Sequence, residues 1–334
     1  MLKRIFTSST WTQLQWPLAA LGLVLLFNFI FTPGFFHLEM KEGRLYGSVI
    51  DILNRAAPVM LLSLGMTLVI ATGGVDLSVG AVMAVSGSIA ALLVARAGFP
   101  VLAVVPISLS AALLVGCWNG LLVGFLKVPP IVATLILMVS GRGIAQLLTG
   151  GQIITFENKP FEFIGRGVLF GLPFTVALTA GVFALLIWIK RKTAAGLFIE
   201  STGDNETASR YAGINTRLVK LLVYAFCSGC AGLAGLIVAA DIKAADANNA
   251  GLWLELDAIL ATVIGGTPLA GGRFHLAGSL IGALLIQTLT TTILTRGVAV
   301  EFTLVVKAVV IVTVCLLQSE TFRQSISRRR SLRA

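Results

Sequence analysis

Long apolar runs separated by short polar joints fill this chain almost from end to end. A helix needs about 20 apolar residues to cross a bilayer, since each residue advances it by ~1.5 Å and lipid offers no partner to an open backbone N–H or C=O. Runs of that kind lie near residues 17–36, 58–74, 75–98, 99–126, 129–149, 167–189, 218–240, 254–271, 275–295 and 302–318. Glycine and proline mark the breaks, and neighbouring runs meet at Gly73-Gly74, Val128-Pro129 and Gly271-Gly272 with almost no loop between them. A membrane β-barrel would need segments of about ten residues that alternate apolar and polar, and these runs do not alternate. The pattern predicts an all-α fold: a polytopic integral membrane helical bundle of about ten transmembrane helices, with broken or re-entrant segments among them.

Composition agrees, because 57% hydrophobic and 12% charged residues with a mean hydropathy of +0.94 exclude a soluble domain of 334 residues. The net charge of +10 changes the picture through its distribution. Basic clusters precede the first run (Lys3-Arg4), follow the sixth (Lys190-Arg191-Lys192, with Arg210, Arg217 and Lys220) and form the tail (Arg323, Arg328-Arg329-Arg330, Arg333). An even number of crossings puts all three on one side, and the excess of Lys and Arg assigns that side to the cytoplasm. Both termini are then expected inside, in a multi-pass membrane protein. The expected organisation is a cytoplasmic segment over 1–16, a transmembrane domain over 17–320 and a basic cytoplasmic tail over 321–334. The basic balance is a topology signal aided by anionic lipid, so no nucleic-acid partner is expected. Lys41, Arg44 and Arg55 break the rule, since this topology places them outside.

The first run continues through aromatic residues to Phe36 with no small-residue cleavage site after it, and is expected to remain as an anchor. The C-x-x-C at Cys227–Cys230 has the spacing of a redox motif, but inside a membrane helix small packing residues are the expectation. His37 and His275 are too few and too far apart to suggest a metal or catalytic centre.

In so apolar a chain the polar residues at membrane depth are the informative ones, because each costs free energy unless paired or facing water. Asp76 follows Gly73-Gly74 and is placed to cap the next helix, whose start would present N–H groups to an adjoining cavity. Arg142, Gln146 and Gly150 share a helix face by their spacing of four. Arg142 then either pairs with a carboxylate such as Asp76 or Asp257 or lines a pathway, with pairing the favoured reading. Asn119 either joins helices or lines a polar lumen. Asp257 opens an apolar run that ends in glycines, as Asp76 does, which hints at an internal repeat of broken helices. In the polar joint over 203–215, Asn205 is placed to cap a short helix to Tyr211, with Glu206 in its first turn and Gly213 closing it. That helix is either a connector or a plug for a groove on a soluble partner.

Four segments, GGVDLSVG at 73–80, PPIVATLILMVSGRG at 129–143, GDNETASRYAGIN at 203–215 and ELDAILATVIGGTPLAGG at 255–272, together resemble the membrane permease of sugar-importing ABC transporters of the ribose, xylose and galactoside group. The resemblance runs from about residue 48 to 318, and GRLYGS at 43–48, IDILNRAAP at 50–58 and AADANNAGLWLELDAI at 244–259 make it most similar to the galactofuranose importer's permeases. It implies a transport subunit that is not an enzyme, translocating galactofuranose or a similar pentose or hexose. The partners implied are a periplasmic sugar-binding protein, an ABC ATPase and a second permease, either a different chain or another copy. It also implies that Gly203, Asn205, Glu206, Ala208 and Gly213 belong to a coupling helix received by the ATPase. The segment departs from the common Glu-Ala-Ala-x-x-x-Gly pattern, with Thr207 in the middle and Gly213 one residue late. Asp76, Asn119, Arg142, Gln146 and Asp257 are the expected pathway or buried polar network, and Lys41, Arg44 and Arg55 the expected docking surface for the binding protein. No catalytic residue and no metal ligand is expected. The chain has no G-x-x-x-x-G-K-[ST] loop, so it binds no cofactor itself on this reading and ATP is hydrolysed by the partner. The rival classes are an ion-coupled secondary transporter using Asp76 and Asp257 as a relay, and a membrane transferase, whose D-x-x-x-D metal sites are missing from the sequence.

Overall fold

The structure is a computed structural model that describes residues 8–41, 43–297, 302, 304–309 and 312–313. The chain runs through α1 (Ser8–Phe31), a hairpin of β1 (Glu39–Lys41) and β2 (Arg44–Tyr46), α2 (Ser48–Ala71), α3 (Val79–Ala95), α4 (Val101–Gly124) and α5 (Pro130–Thr149). It continues with β3 (Ile154–Thr155), α6 (Lys159–Arg166), β4 (Val168–Leu169), β5 (Leu172–Pro173), α7 (Phe174–Lys192), α8 (Ala195–Asp204) and α9 (Glu206–Tyr211). Last come α10 (Thr216–Ile242), β6 (Ala244–Ala245), α11 (Leu254–Ile264) and α12 (Leu276–Thr295). The strands form three short antiparallel pairs, β1 with β2, β3 with β6 and β4 with β5, so the fold is a helical bundle as expected.

Among the described residues seven helices are long and apolar enough to cross a membrane: α1 over Leu14–Phe31, then α2, α4, α5, α7, α10 and α12. Burial separates centre from periphery. The apolar windows of α2, α10 and α12 are 83%, 67% and 61% buried, whereas those of α1, α4, α5 and α7 are 17%, 22%, 28% and 17% buried. The outer helices therefore keep apolar side chains such as Leu102, Leu114, Val139 and Leu147 on the surface, a face that suits lipid or a partner helix and not water.

The tightest seam joins α4 to α10. A Cβ on Gly116 or Gly120 would stand 2.6 Å from Ser228 Cβ or Leu221 Cα, and one on Gly124 2.8 Å from the Arg217 carbonyl oxygen. Glycine at a spacing of four lets the two backbones approach, which is how helices pack where no hydrophobic force separates protein from solvent. One end of the bundle gathers the C-termini of α3 and α10, the start of α4 and the β3–α6 segment around Phe156 and Phe161. The opposite end carries α8, α9 and the basic C-terminus of α7. These are called the hairpin end and the basic end below.

Several expected boundaries move. α2 begins at Ser48, ten residues before the expected start at 58, because Pro58 lies inside the helix instead of opening it. α3 begins only at Val79 and α7 only at Phe174, after non-helical stretches. α11 ends at Ile264, well short of 271. There Gly265 packs against the Gly278 backbone and Gly266 takes a φ of +90°, and Pro268 bars the preceding residue from helical geometry. The expected span near 302–318 and the tail at 321–334 lie mostly or wholly outside the described residues.

Candidate functional site

The turn between α2 and α3 is buried and fully braced. Gly73 takes a φ of +79°, a conformation open to glycine, and the chain then enters the protein interior. Asp76 is wholly buried, and its Oδ1 accepts from the Ser78 backbone N–H at 2.9 Å and from the Ser78 hydroxyl at 2.5 Å. Ser78, not Asp76, occupies the N-cap position of α3, so the carboxylate stabilises the turn one step before the helix. Asn119 Nδ2 on α4 donates to Ser78 Oγ at 3.0 Å, while Thr134 Oγ1 and Tyr224 OH approach the Val75 carbonyl at 3.4 and 3.5 Å. Asp76 Oδ2 and Asn119 Oδ1 are buried without a hydrogen-bond partner among the described residues.

Arg142 and Gln146 occupy one face of α5, and that face closes on the loop before α11. Arg142 Nη1 donates to the carbonyls of Ala247 at 3.1 Å and Ala250 at 2.6 Å, and Gln146 Nε2 to Asn248 Oδ1 at 2.8 Å. The expected ion pair of Arg142 with Asp76 or Asp257 does not form. Asp76 is held by Ser78, and Asp257 Oδ2 pairs with Lys307 Nζ at 2.9 Å. Backbone carbonyls solvate the guanidinium in their place, a solution that leaves no trace in a sequence.

Beside them lies a cavity of about 460 Å³, lined by Ala81, Met138, Arg142, Gln146, Leu252 and Glu255 among others. The N-termini of α3 and α11 converge on it, because Gly80 and Gly251 touch backbone to backbone, too close for a Cβ on either. Glu255 is 4% exposed, and its Oε2 lies over Gly80 with no hydrogen-bond partner among the described residues. Glu255 and Asp246 act on the Arg142 charge from beyond ion-pair distance. Sequence reasoning chose Asp257 from the Leu-Glu-Leu-Asp run. Two positions apart on a helix point to nearly opposite sides, and Glu255 is the one that faces inward.

At the basic end the short helix α9 forms where it is expected, with Asn205 Oδ1 accepting from the Ala208 N–H at 2.9 Å and Gly213 closing it at a φ of +87°. Glu206 is engaged internally: it accepts from Arg210, from Lys220 Nζ at 2.7 Å and from Thr216 Oγ1 at 3.3 Å. Burial raises its pKa, yet the hydrogen bonds and charges of Lys220 and Arg210 hold the carboxyl below its ordinary value. Ser209 Oγ donates to the Ser201 carbonyl at 2.7 Å, so α9 is tied to α8 there and to the start of α10 through Glu206. Tyr211 stands 90% exposed at its tip, and Ala208 and Gly213 are exposed beside it. Gly203 does not belong to that surface. It ends α8 against the Ala71 carbonyl and the Gly272 N–H, and Gly272 N itself donates to Ala71 O at 3.0 Å. The helix α8 has no counterpart in the sequence reading.

Arg44 and Lys41 face each other in the register of the hairpin, and the exposed Arg55 on α2 pairs with Asp51 at 2.9 Å. Cys227 and Cys230 are buried free thiols, Cys227 packing on Gly65, which fits a packing role.

The family described as branched-chain amino acid transport system / permease component matches residues 48–315. The chain is 52% identical over 97% of its length to the galactofuranose transporter permease protein YtfT of Escherichia coli (strain K12), covering 96% of that protein. It is 38% identical to the fructose import permease protein FruF of Bifidobacterium longum (strain NCC 2705), with 97% of this chain and 93% of that one covered. To the ribose import permease protein RbsC of E. coli (strain K12) it is 35% identical, with 95% and 97% covered. No solved structure matches significantly.

Proposed function

The chain belongs to the permease-component family of transport systems, and from that premise we propose that it is the transmembrane subunit of an ABC importer that carries a monosaccharide, galactofuranose or a close relative, into the cell. The observation that carries this is the end-to-end likeness to a galactofuranose permease at 52% identity. The geometry supports it at three levels. A cavity with Arg142, Gln146 and Glu255 on an otherwise mainly apolar wall lies among the helices, the starts of α3 and α11 converge on it, and a braced helical knob projects from the basic end.

On this reading the bundle makes ten crossings, α3, α11 and a helix near 302–318 adding to the seven long ones, with both termini cytoplasmic. Residues 1–16 and 321–334 flank a transmembrane domain over 17–320. The α8–α9 knob, with Tyr211, Ala208 and Gly213 outward, is received by the partner ATPase, which hydrolyses the ATP. Gly203, wedged between Ala71 and Gly272, passes its displacement to the ends of α2 and the α11–α12 loop. The exposed face of α5 meets the second permease. The hairpin end, with Lys41 and the exposed Arg44 and Arg55, receives the sugar-loaded binding protein, to whose acidic rim these cations would add long-range attraction.

Complementation tests the substrate. In a strain that lacks its own galactofuranose permease but keeps the binding protein and ATPase, this chain should restore growth on galactofuranose. Restored growth on ribose or fructose alone would reassign the sugar.

A further inference from the structure

We propose that the cavity between α5, the start of α3 and the start of α11 is a transit subsite for one neutral, hydroxyl-rich ring, with Glu255 as the acceptor for a ring hydroxyl. The inference rests on the sugar-import reading above and adds the residue that touches the cargo.

Its volume of about 460 Å³ falls within the roughly 300–1,000 Å³ usual for small-molecule sites. A buried carboxylate oxygen without a donor is costly to leave unmade, and Glu255 Oε2 is one, on a side chain that is 4% exposed and lines the cavity. Charge narrows the class of ligand. The Arg142 guanidinium opposes a cation there, and the carboxylates of Glu255 and Asp246 oppose an anion, so an uncharged donor is favoured. Arg142 is already committed to two carbonyls and Gln146 Nε2 to Asn248, and these bonds fix the wall formed by residues 246–252. Met138, Leu252 and Ala81 supply an apolar side against which the C–H face of a ring can lie. One strong acceptor on an otherwise plain surface gives weak retention, which a carrier that must release its cargo requires.

The test uses the complete transporter in proteoliposomes: wild type, Glu255→Ala and Glu255→Gln, each given the sugar and its single-deoxy analogues, with uptake expressed per ATP hydrolysed. Wild type should lose roughly tenfold in uptake for one particular deoxy analogue, the worth of a hydrogen bond to a charged group. Glu255→Ala should lose a similar factor with the intact sugar and no further factor with that analogue, and Glu255→Gln, which keeps an acceptor, should fall between. The binding protein's own preference is common to all three and cancels. Deoxy penalties that stay the same in Glu255→Ala as in wild type would overturn the subsite while leaving sugar import standing. Wild type that takes up no sugar with ATP would remove the import reading itself.

Discussion

Asp76 has one carboxylate oxygen occupied by Ser78 and the other without a donor, a poor arrangement for energy alone and a good one for fixing a turn. Removing the side chain should cost more than changing its charge. Asp76→Ala strips the acceptor from the Ser78 N–H and hydroxyl and is expected to lower stability by about 1–3 kcal/mol, whereas Asp76→Asn keeps Oδ1 and should retain most of it. Thermal unfolding of the two variants in detergent measures this, and equal losses would mean that the charge, not the acceptor, matters. At this scale the sequence was legible where a polar side chain was forced inward, as at Asp76 beside a glycine break and at Asn119 within α4. It was silent on Arg142's partners, because the Ala247 and Ala250 carbonyls belong to backbone any residue supplies. It was ambiguous at Glu255 and Asp257, where composition cannot say which side of α11 faces the protein.

Among the elements, the clearest dynamic prediction concerns the joint of α7, α8 and the start of α12. Lys190 Nζ bonds Glu200 at 3.1 Å and the Phe274 carbonyl at 3.0 Å and lies 3.7 Å from the Phe274 ring centroid. His275 follows directly, with Nε2 buried and without a hydrogen-bond partner among the described residues. Burial, then the Lys190 charge, push its pKa below the ordinary 6.5, Glu200 acting against them and Arg273 with them. A histidine held neutral in the folded state contributes stability that is complete above pH 6.5 and is lost as pH falls toward the depressed folded value. Protection of the α8 amides against hydrogen exchange, corrected for the slower intrinsic rate at lower pH, should therefore fall as pH drops from about 6.5 to about 5.5 (roughly the window over which histidine charges), and His275→Gln should remove that dependence. The glycines that end α2 and the cap that starts α9 were readable in advance, since each requires a particular residue at a particular step. α8 was not, because Gly-Leu-Phe-Ile-Glu-Ser-Thr-Gly-Asp reads as a polar joint until tertiary packing on Ala71 and Gly272 makes it a helix.

For the whole molecule, a buried centre of α2, α10 and α12 inside an apolar shell describes a scaffold whose surface is left for lipid and a partner. The sequence pattern gave that architecture, since the run length demanded by a bilayer is a property of composition alone. It did not give which helices are central, because the central α10 and the peripheral α4 have nearly the same mean hydropathy, 2.1 and 2.2, and only packing tells them apart. The account stands or falls on what drives transport. With the binding protein, both permeases and the ATPase reconstituted together in sealed vesicles, sugar entry should require ATP and ignore an imposed proton or sodium gradient. Entry driven by the gradient in the absence of ATP would contradict it.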